Sequence, residues 1–397
     1  MKNKGSVYLV SLVVLALVAS CAAPTPTPAP TKAPPVAAAT ATKPAPTTAP
    51  TATKPAPTVV PTEAPPCLIV GMVHPGSIND AGYNQAQHES LQALKKNLPC
   101  VKIIWAENVP DADAERVMEN MVQQGARLIF PAASPFQDPA LKVAEKHPDV
   151  VFMHPGGWKL AKNFGTYFGT TQFHWYLMGV AAGKMTKTNK IGFVAGMPLG
   201  FALGNINGFH LGARSVNPKV ETRVVFTGSW LDRAKEAAAT NALIDQGVDV
   251  VGMHVDSPAT IVQTAESRGV YSIGFQSLAV QQFAPKGWIT GLGFTFGGLM
   301  TEAAKQVMAG TWQSAHLRAG VAEGYMAIAP FGPAVPKDVQ DLVLSLAQDL
   351  GSGKLTPFKG PIKDQEGNVR IKEGEVWGNE KMGSFDWFVE GIVGKPK

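Results

Sequence analysis

From residue 67 onward the chain alternates short apolar, β-branched runs with amphipathic stretches, and this alternation limits the possible folds more than any other feature. Strand-like runs stand at 68–73, 101–105, 128–131 and 150–154, and a second set follows at 191–194, 220–226, 250–254 and 271–275. Strands separated by helix-sized stretches pair in parallel, because each crossover lays a helix on a face of the sheet. Gly125 and Gly247 sit where a helix ends and a strand begins, a place for a left-handed residue. Asp138-Pro139 reads as an N-cap followed by proline at the first helical position. The halves also repeat. Gln123-Gln124-Gly125-Ala126-Arg127-Leu128-Ile129 matches Asp245-Gln246-Gly247-Val248-Asp249-Val250-Val251, and Ala144-Glu145-Lys146-His147 matches Ala265-Glu266-Ser267-Arg268, at offsets of 122 and 121 residues. The expectation is an α/β protein of two similar parallel-sheet lobes that close on a ligand beyond the carboxyl ends of their strands.

The first 66 residues are of another kind. Lys2 and Lys4 precede an apolar run from Val7 to Ala19, shorter than the ~20 residues a membrane span needs. The run ends in Val18-Ala19-Ser20-Cys21, so residues 1–20 read as a signal peptide. Small residues before a cysteine resemble a bacterial lipobox, which implies cleavage before Cys21 and lipidation of its thiol; an ordinary cleaved signal is the alternative. Residues 22–66 are Pro, Thr, Ala and Lys with scarcely an aliphatic run, a composition that cannot bury enough surface to order itself. As a flexible coil such a tether spans ~35–40 Å.

The body is large enough for one large or two medium domains. The formal charge of +5 is scattered, with no basic cluster interleaved with aromatics, so no nucleic-acid partner is expected. Cys67 and Cys100 each precede a strand-like run. If those strands are parallel neighbours, about 4.8 Å apart, the two cysteines lie within disulfide range. A Cys67–Cys100 bridge is therefore expected in an oxidising compartment, contributing roughly 3–4 kcal/mol on the loop-entropy model, with two inert thiols as the alternative.

The predicted strand ends carry polar and turn-forming residues: His74-Pro75-Gly76-Ser77, Ala133-Ser134-Pro135-Phe136, His154-Pro155-Gly156-Gly157-Trp158, Gly228-Ser229-Trp230, His254-Val255-Asp256-Ser257 and Gln276-Ser277. Tyr83, Phe136, Trp158, Phe168, Phe201 and Trp230 recur at or near these positions. Such rings would stack a planar ligand while Asn, Asp or Gln reads its edge. For each ring taken singly, core packing is the competing assignment.

The stretch Gly76-Ser77-Ile78-Asn79-Asp80-Ala81-Gly82-Tyr83-Asn84 is similar to the Asp-x-x-aromatic-Asn signature of the basic membrane protein family of bacterial lipoproteins, which includes purine-nucleoside receptors of ABC importers. Gly165-Thr166-Tyr167-Phe168 running to Tyr176-Leu177-Met178-Gly179, Asn207-Gly208-Phe209-His210-Leu211-Gly212-Ala213 and Gly360-Pro361-Ile362-Lys363-Asp364 resemble further family landmarks, and the likeness covers residues 67–394. It implies the type I periplasmic-binding-protein fold, with hinge crossings near 168–171, 292–296 and 317–324. On that plan residues 67–170 form lobe 1 and 171–292 lobe 2. Residues 293–318 return to lobe 1, and 319–397 re-cross to complete lobe 2. The resemblance further implies that Asp80 holds a purine edge and Tyr83 stacks on the base, with Asn79 and Asn84 adjacent. Two positions depart from the family pattern: Gln276 stands where an aspartate commonly holds ribose hydroxyls, and Asn205, with Phe201 nearby, stands where a phenylalanine stacks. The expected ligand-binding set is thus Asn79, Asp80, Tyr83, Asn84, Ser134, Phe136, Trp158, Phe168, Phe201, Asn205, Trp230, Asp256 and Gln276.

The function this implies is a lipid-anchored, extracytoplasmic, monomeric receptor that captures a purine base, a nucleoside or another flat heterocycle for separate permease and ATPase subunits. It needs no cofactor and catalyses nothing. Three alternatives compete. A nucleoside-processing enzyme would want an N-terminal aspartate cluster, yet Asp111 and Asp113 look like helix-entry acids, and no nucleophile elbow or phosphate loop is present. A metal receptor could use His74, His154 and His254 at three strand ends, without the paired spacing that zinc sites favour. A receptor that senses a non-purine molecule and signals would share the fold.

Overall fold

The computed structural model describes residues 66–396; the predicted signal peptide, the lipidation site Cys21 and the tether up to residue 65 lie outside the described residues. The chain runs β1 (Leu68–Val73), α1 (Tyr83–Asn97), β2 (Val101–Ala106), α2 (Ala114–Gln123), β3 (Leu128–Pro131), α3 (Gln137–Lys146), β4 (Val151–Pro155) and β5 (Phe164–Gly169). It continues α4 (Thr171–Met185), β6 (Lys190–Ala195), α5 (Gly200–Val216), β7 (Glu221–Phe226), α6 (Arg233–Asp245), β8 (Val250–His254), α7 (Ala259–Ser267), β9 (Tyr271–Gln276) and β10 (Trp288–Phe294). Then follow α8 (Gly297–Ala309), β11 (His316–Ala319), β12 (Met326–Ile328), α9 (Lys337–Gly351), β13 (Ile362–Lys363), β14 (Val369–Ile371) and β15 (Ile392–Val393).

Two sheets result. A six-stranded sheet in the order β11-β5-β4-β3-β1-β2 is parallel throughout. A seven-stranded sheet, β12-β10-β9-β8-β6-β7-β15, is parallel except for its edge strand β12. This is an α/β fold of two parallel-sheet lobes. Buried parallel strands read as continuous apolar runs, which is why β1, β3 and β8 have the bounds expected from sequence. β5, β10, β11 and β12 were not anticipated as strands. β5 and β10 carry glycines among their apolar residues, and β11 and β12 are only 4 and 3 residues long.

Gly125 and Gly247 close their helices with φ of +88° and +87°, the left-handed exit expected of them. The start of α3 differs from expectation. A 3-10 turn at Ser134–Phe136 leads straight into α3 at Gln137, so Asp138 lies inside the first turn and its carboxylate meets Lys159 Nζ at 2.8 Å. Cys67 and Cys100 are bridged with Cα atoms 5.4 Å apart. The bridge is possible because β1 and β2 pair from Leu68↔Val101 onward, which starts both strands level.

The chain passes between the sheets three times, at residues 169–171, 294–297 and 319–326. After the second passage α8 docks on α1 of the first lobe, where Phe296 N–H donates to Ser90 Oγ (3.0 Å) and Asn97 Nδ2 to Thr301 Oγ1 (3.1 Å). Beside the third passage Arg318 donates to the Gly157 carbonyl (2.7 Å) and to Thr166 Oγ1 (3.2 Å), tying β11 to the loop after β4. In the second lobe α4 and α5 touch backbone to backbone around the buried ring of Trp175, which packs on Phe193, Phe209 and Phe275.

Candidate ligand-binding cleft

The loops leaving the carboxyl ends of β1 and β8 face each other across the gap between the lobes and touch. Tyr83 N–H donates to the Asp256 carbonyl (3.1 Å), and Ser257 Oγ donates to the Asp80 carbonyl (3.1 Å). Gly82 lies so close to the second lobe that a Cβ there would stand 2.0 Å from the Asp256 carbonyl oxygen. The lobes are therefore shut at this point.

On the first lobe the Asp80 carboxylate is fully engaged inside its own loop. Oδ1 accepts from the N–H groups of Gly82 (2.8 Å) and Gln85 (3.0 Å), and Oδ2 accepts from Asn84 N–H (3.1 Å) and Nδ2 (2.8 Å). The first turn of α1 exposes N–H groups with no helical partner, and Asp80 satisfies them. This corrects the role inferred for Asp80 from resemblance: its acceptor positions are committed to the helix start. Asn84 is buried and accepts from Gly76 N–H (3.1 Å), so it too shapes the loop, while Asn79 is exposed. Tyr83 presents its ring edge-on to Phe294, with centroids 6.2 Å apart. Burial raises its phenol above the ordinary tyrosine range, with the Asp256 charge adding, so the hydroxyl stays neutral.

On the second lobe Phe201 and Trp230 stack with centroids 5.8 Å apart, and the His254 ring packs against both, at 5.5 and 5.4 Å. His254 also meets Phe275 (4.9 Å), Phe275 meets Phe294 (5.6 Å), and Phe294 meets Phe168 and Phe296 (each 5.1 Å). A continuous wall of rings thus leads from Tyr83 in one lobe, past the crossings, to Phe201 and Trp230 in the other. Asn205 lies fully buried behind it. Its Oδ1 accepts from Thr171 Oγ1 (2.8 Å), which leaves Nδ2 to donate to His254 Nδ1 (2.9 Å). Burial lowers His254 to about 3, so the ring is neutral, and the Asn205 contact places its proton on Nε2. Asn205 therefore orients His254 rather than offering its own amide to a ligand.

Beyond these rings, Gln276 ends β9 and is 2% exposed at φ +75°. Its side chain neighbours Asp256, whose carboxyl burial pushes up to about 7; Gln276 opposes the rise, and the charges of Asp80 and Glu236 add to it. Asp256, Gln276, Tyr83, Phe168, Phe201, Trp230 and, indirectly, Asn205 converge on the interlobe region.

Phe136 does not. It is completely buried in the core beside α2 and α3, among Val73, Met118, Met121 and Phe152, and this corrects its assignment to the ligand. Phenylalanine after a short turn fits either position, and only packing decides. Ser134 is exposed at the start of its turn. Trp158 is 65% exposed, its backbone N–H held by Gln137 Oε1 at 2.8 Å, and its ring pairs with no other ring among the described residues. The sequence reading missed Phe275 and Phe294 as wall residues and Thr171 as the partner of Asn205. A signal was present for Phe294 alone, which stands at period two with Phe296 between Gly293 and Gly297 where β10 leaves for a crossing. The three strand-end histidines do not gather. His74 packs on His88, His154 bonds the Ala133 carbonyl and His254 bonds Asn205. Among the described residues no three His, Cys, Asp or Glu side chains group to hold a metal ion.

Comparison with known proteins agrees with this architecture. The family model described as "ABC transporter substrate-binding protein PnrA-like" (Bmp) matches residues 68–356, ending short of the Gly360–Asp364 landmark. The chain is 38% identical over 333 residues to a purine-binding protein of Brucella abortus, covering 83% of this chain and 93% of the relative. It is 30% identical to a putative ABC transporter glucose-binding protein of Haloferax volcanii, covering 81% and 80%. Among solved structures, an ABC transporter solute-binding protein from Conexibacter woesei superposes with a TM-score of 0.64 at 25% identity, over 72% of this chain and 97% of that one. Two hinged parallel-sheet lobes, a ring-lined gap between them and a family match across most of the body make this chain a member of the Bmp family of ABC transporter substrate-binding proteins.

Proposed function

We propose that the protein captures a planar heterocycle, a purine base or nucleoside, between its lobes outside the cytoplasm and hands it to the permease and ATPase subunits of an importer. The observation that carries this reading is the ring wall from Tyr83 through Phe294, Phe275 and His254 to Phe201 and Trp230. Rings contributed by both lobes favour a flat guest, whose faces they cover as the lobes shut. The purine-binding relative supports the same ligand class. Lipidation at Cys21 would hold the receptor at a membrane, since each buried lipid CH₂ contributes ~0.8 kcal/mol. Among the described residues no helix is long and apolar enough to cross one.

A sugar is the second reading, favoured by the acceptor groups of Asp256 and Gln276, which suit vicinal hydroxyls as well as N–H donors, and by the Haloferax relative. Calorimetric titration with adenine, guanosine and glucose separates the two. A heterocycle should bind at least tenfold tighter than glucose, and replacing Phe201 or Trp230 by Ala should weaken it about tenfold, roughly the 1.4 kcal/mol that a stacked ring contributes. Preference for glucose would refute the heterocycle.

A further inference from the structure

Asp256 stands where the lobes meet, two residues beyond β8, with its carbonyl bonded to Tyr83 N–H. The Gln276 side chain lies beside the Asp256 carboxyl and opposes the rise that burial gives it. Gln276 Oε1 is buried without a hydrogen-bond partner. Gln276 also holds a left-handed backbone that residues with side chains rarely adopt. Buried acceptors are nearly always satisfied, so an orphaned one beside a closed cleft points to a missing donor. The charged groups that act on Asp256 are Asp80, across the gap, and Glu236 on α6, and neither is a cation. Glu236 uses Oε1 to accept from Asp232 N–H, and its Oε2 has no partner. The neighbouring His254 and Tyr83 are both neutral. Two acceptors with no cation, set against aromatic rings, call for a guest that brings donors.

We propose that Asp256 and Gln276 Oε1 form an acceptor face that reads a hydrogen-bond donor edge of the ligand, and that binding expels a proton from Asp256 into solvent. This rests on the reading of the interlobe gap as the ligand site. The matching chemistry is a flat ring with adjacent donors, such as an exocyclic amine beside a ring N–H. With its carboxyl raised to about 7 by burial, Asp256 carries a proton in much of the empty, closed protein at neutral pH. A donor bonded to the carboxylate favours the ionised form, so ligand and proton compete. Affinity then levels off above about pH 7 and falls about tenfold per unit below it.

The test is calorimetry on the purified chain. Adenine, guanosine and glucose are titrated at pH 8, and whichever binds tightest is repeated at pH 5.5 and 6.5, the latter in two buffers of different ionisation enthalpy. We expect weaker binding by about tenfold from pH 6.5 to 5.5, and release of about 0.8 proton at pH 6.5. Asp256→Asn should bind at least tenfold more weakly at pH 8 and lose the pH slope. Gln276→Leu should weaken binding but keep the slope, and thermal melts establish that both variants fold. A flat profile in the unaltered chain, or a slope that survives in Asp256→Asn, overturns the acceptor face. Glucose as the tightest probe would sink the heterocycle reading while the pH profile still judges Asp256. Binding of none of the three overturns both.

Discussion

A single methyl group at Gly82 should separate folding from closure. The atoms that a Cβ would strike, the Asp256 carbonyl oxygen and Pro258 Cδ, all belong to the other lobe, so the clash exists only when the lobes meet. We expect Gly82→Ala to melt within about 1 kcal/mol of the unaltered protein, as surface changes do, while ligand affinity falls at least tenfold. Equal affinity for the variant would mean that the lobes do not shut at this loop during binding. The same loop shows what one residue's sequence context reveals. Asp80 was read from resemblance as a ligand group, and the four donors around its oxygens tie it to the start of α1. Phe201 and Phe136 looked alike in sequence, yet one lies in the ring wall and the other in the core. Burial of a side chain is set by its neighbours in space, which local composition does not specify.

Between elements, two joints bear most directly on stability. The Cys67–Cys100 bridge links the starts of β1 and β2 across 33 residues and should stabilise the fold by roughly 3–4 kcal/mol. Urea denaturation with and without reductant measures this directly, and an unchanged midpoint would show the bridge to be thermodynamically silent. The joint between α4 and α5 depends on bare backbone. A Cβ at Gly212 would stand 1.9 Å from the Tyr176 carbonyl oxygen, and one at Gly179 would stand 1.9 Å from that of Phe209. Gly212→Ala must push the helices apart over Trp175, and a loss of about 2–3 kcal/mol in chemical denaturation is expected. The strands themselves were legible because buried parallel strands are apolar on both faces. The edge strands β11 and β12 were not, since 4 and 3 residues beside a crossing carry too little pattern to stand out from loop.

At the scale of the molecule, the contact between Asp256 and the first lobe should make closure of the empty receptor depend on pH. Burial raises the Asp256 carboxyl to about 7 from an ordinary 3.8, and Asp80 adds its charge only when the lobes touch. A raised acid pKa in the closed form means that closing takes up a proton. Closure is thus favoured at low pH, and the favour is lost as pH rises through about 7. Small-angle scattering of the empty protein should give a smaller radius of gyration at pH 5 than at pH 8.5, and Asp256→Asn should remove the difference. The same radius at both values would disprove the coupling.

The alternation of apolar runs, the repeat at a spacing of about 121 residues and the paired cysteines determined the fold class, the doubled sheet and the disulfide, because each follows from local pattern and from the fixed spacing of parallel strands. Only the tertiary structure decided which strand-end residues share the cleft. Phe294 ends β10, Asn205 comes from α5 and Gln276 ends β9, and they gather because the packing of the second lobe brings distant elements together. The commitment of Asp80 to its helix and the placing of Asp256 beside Asp80 and Glu236 are likewise matters of distance in space, which no spacing along the chain encodes.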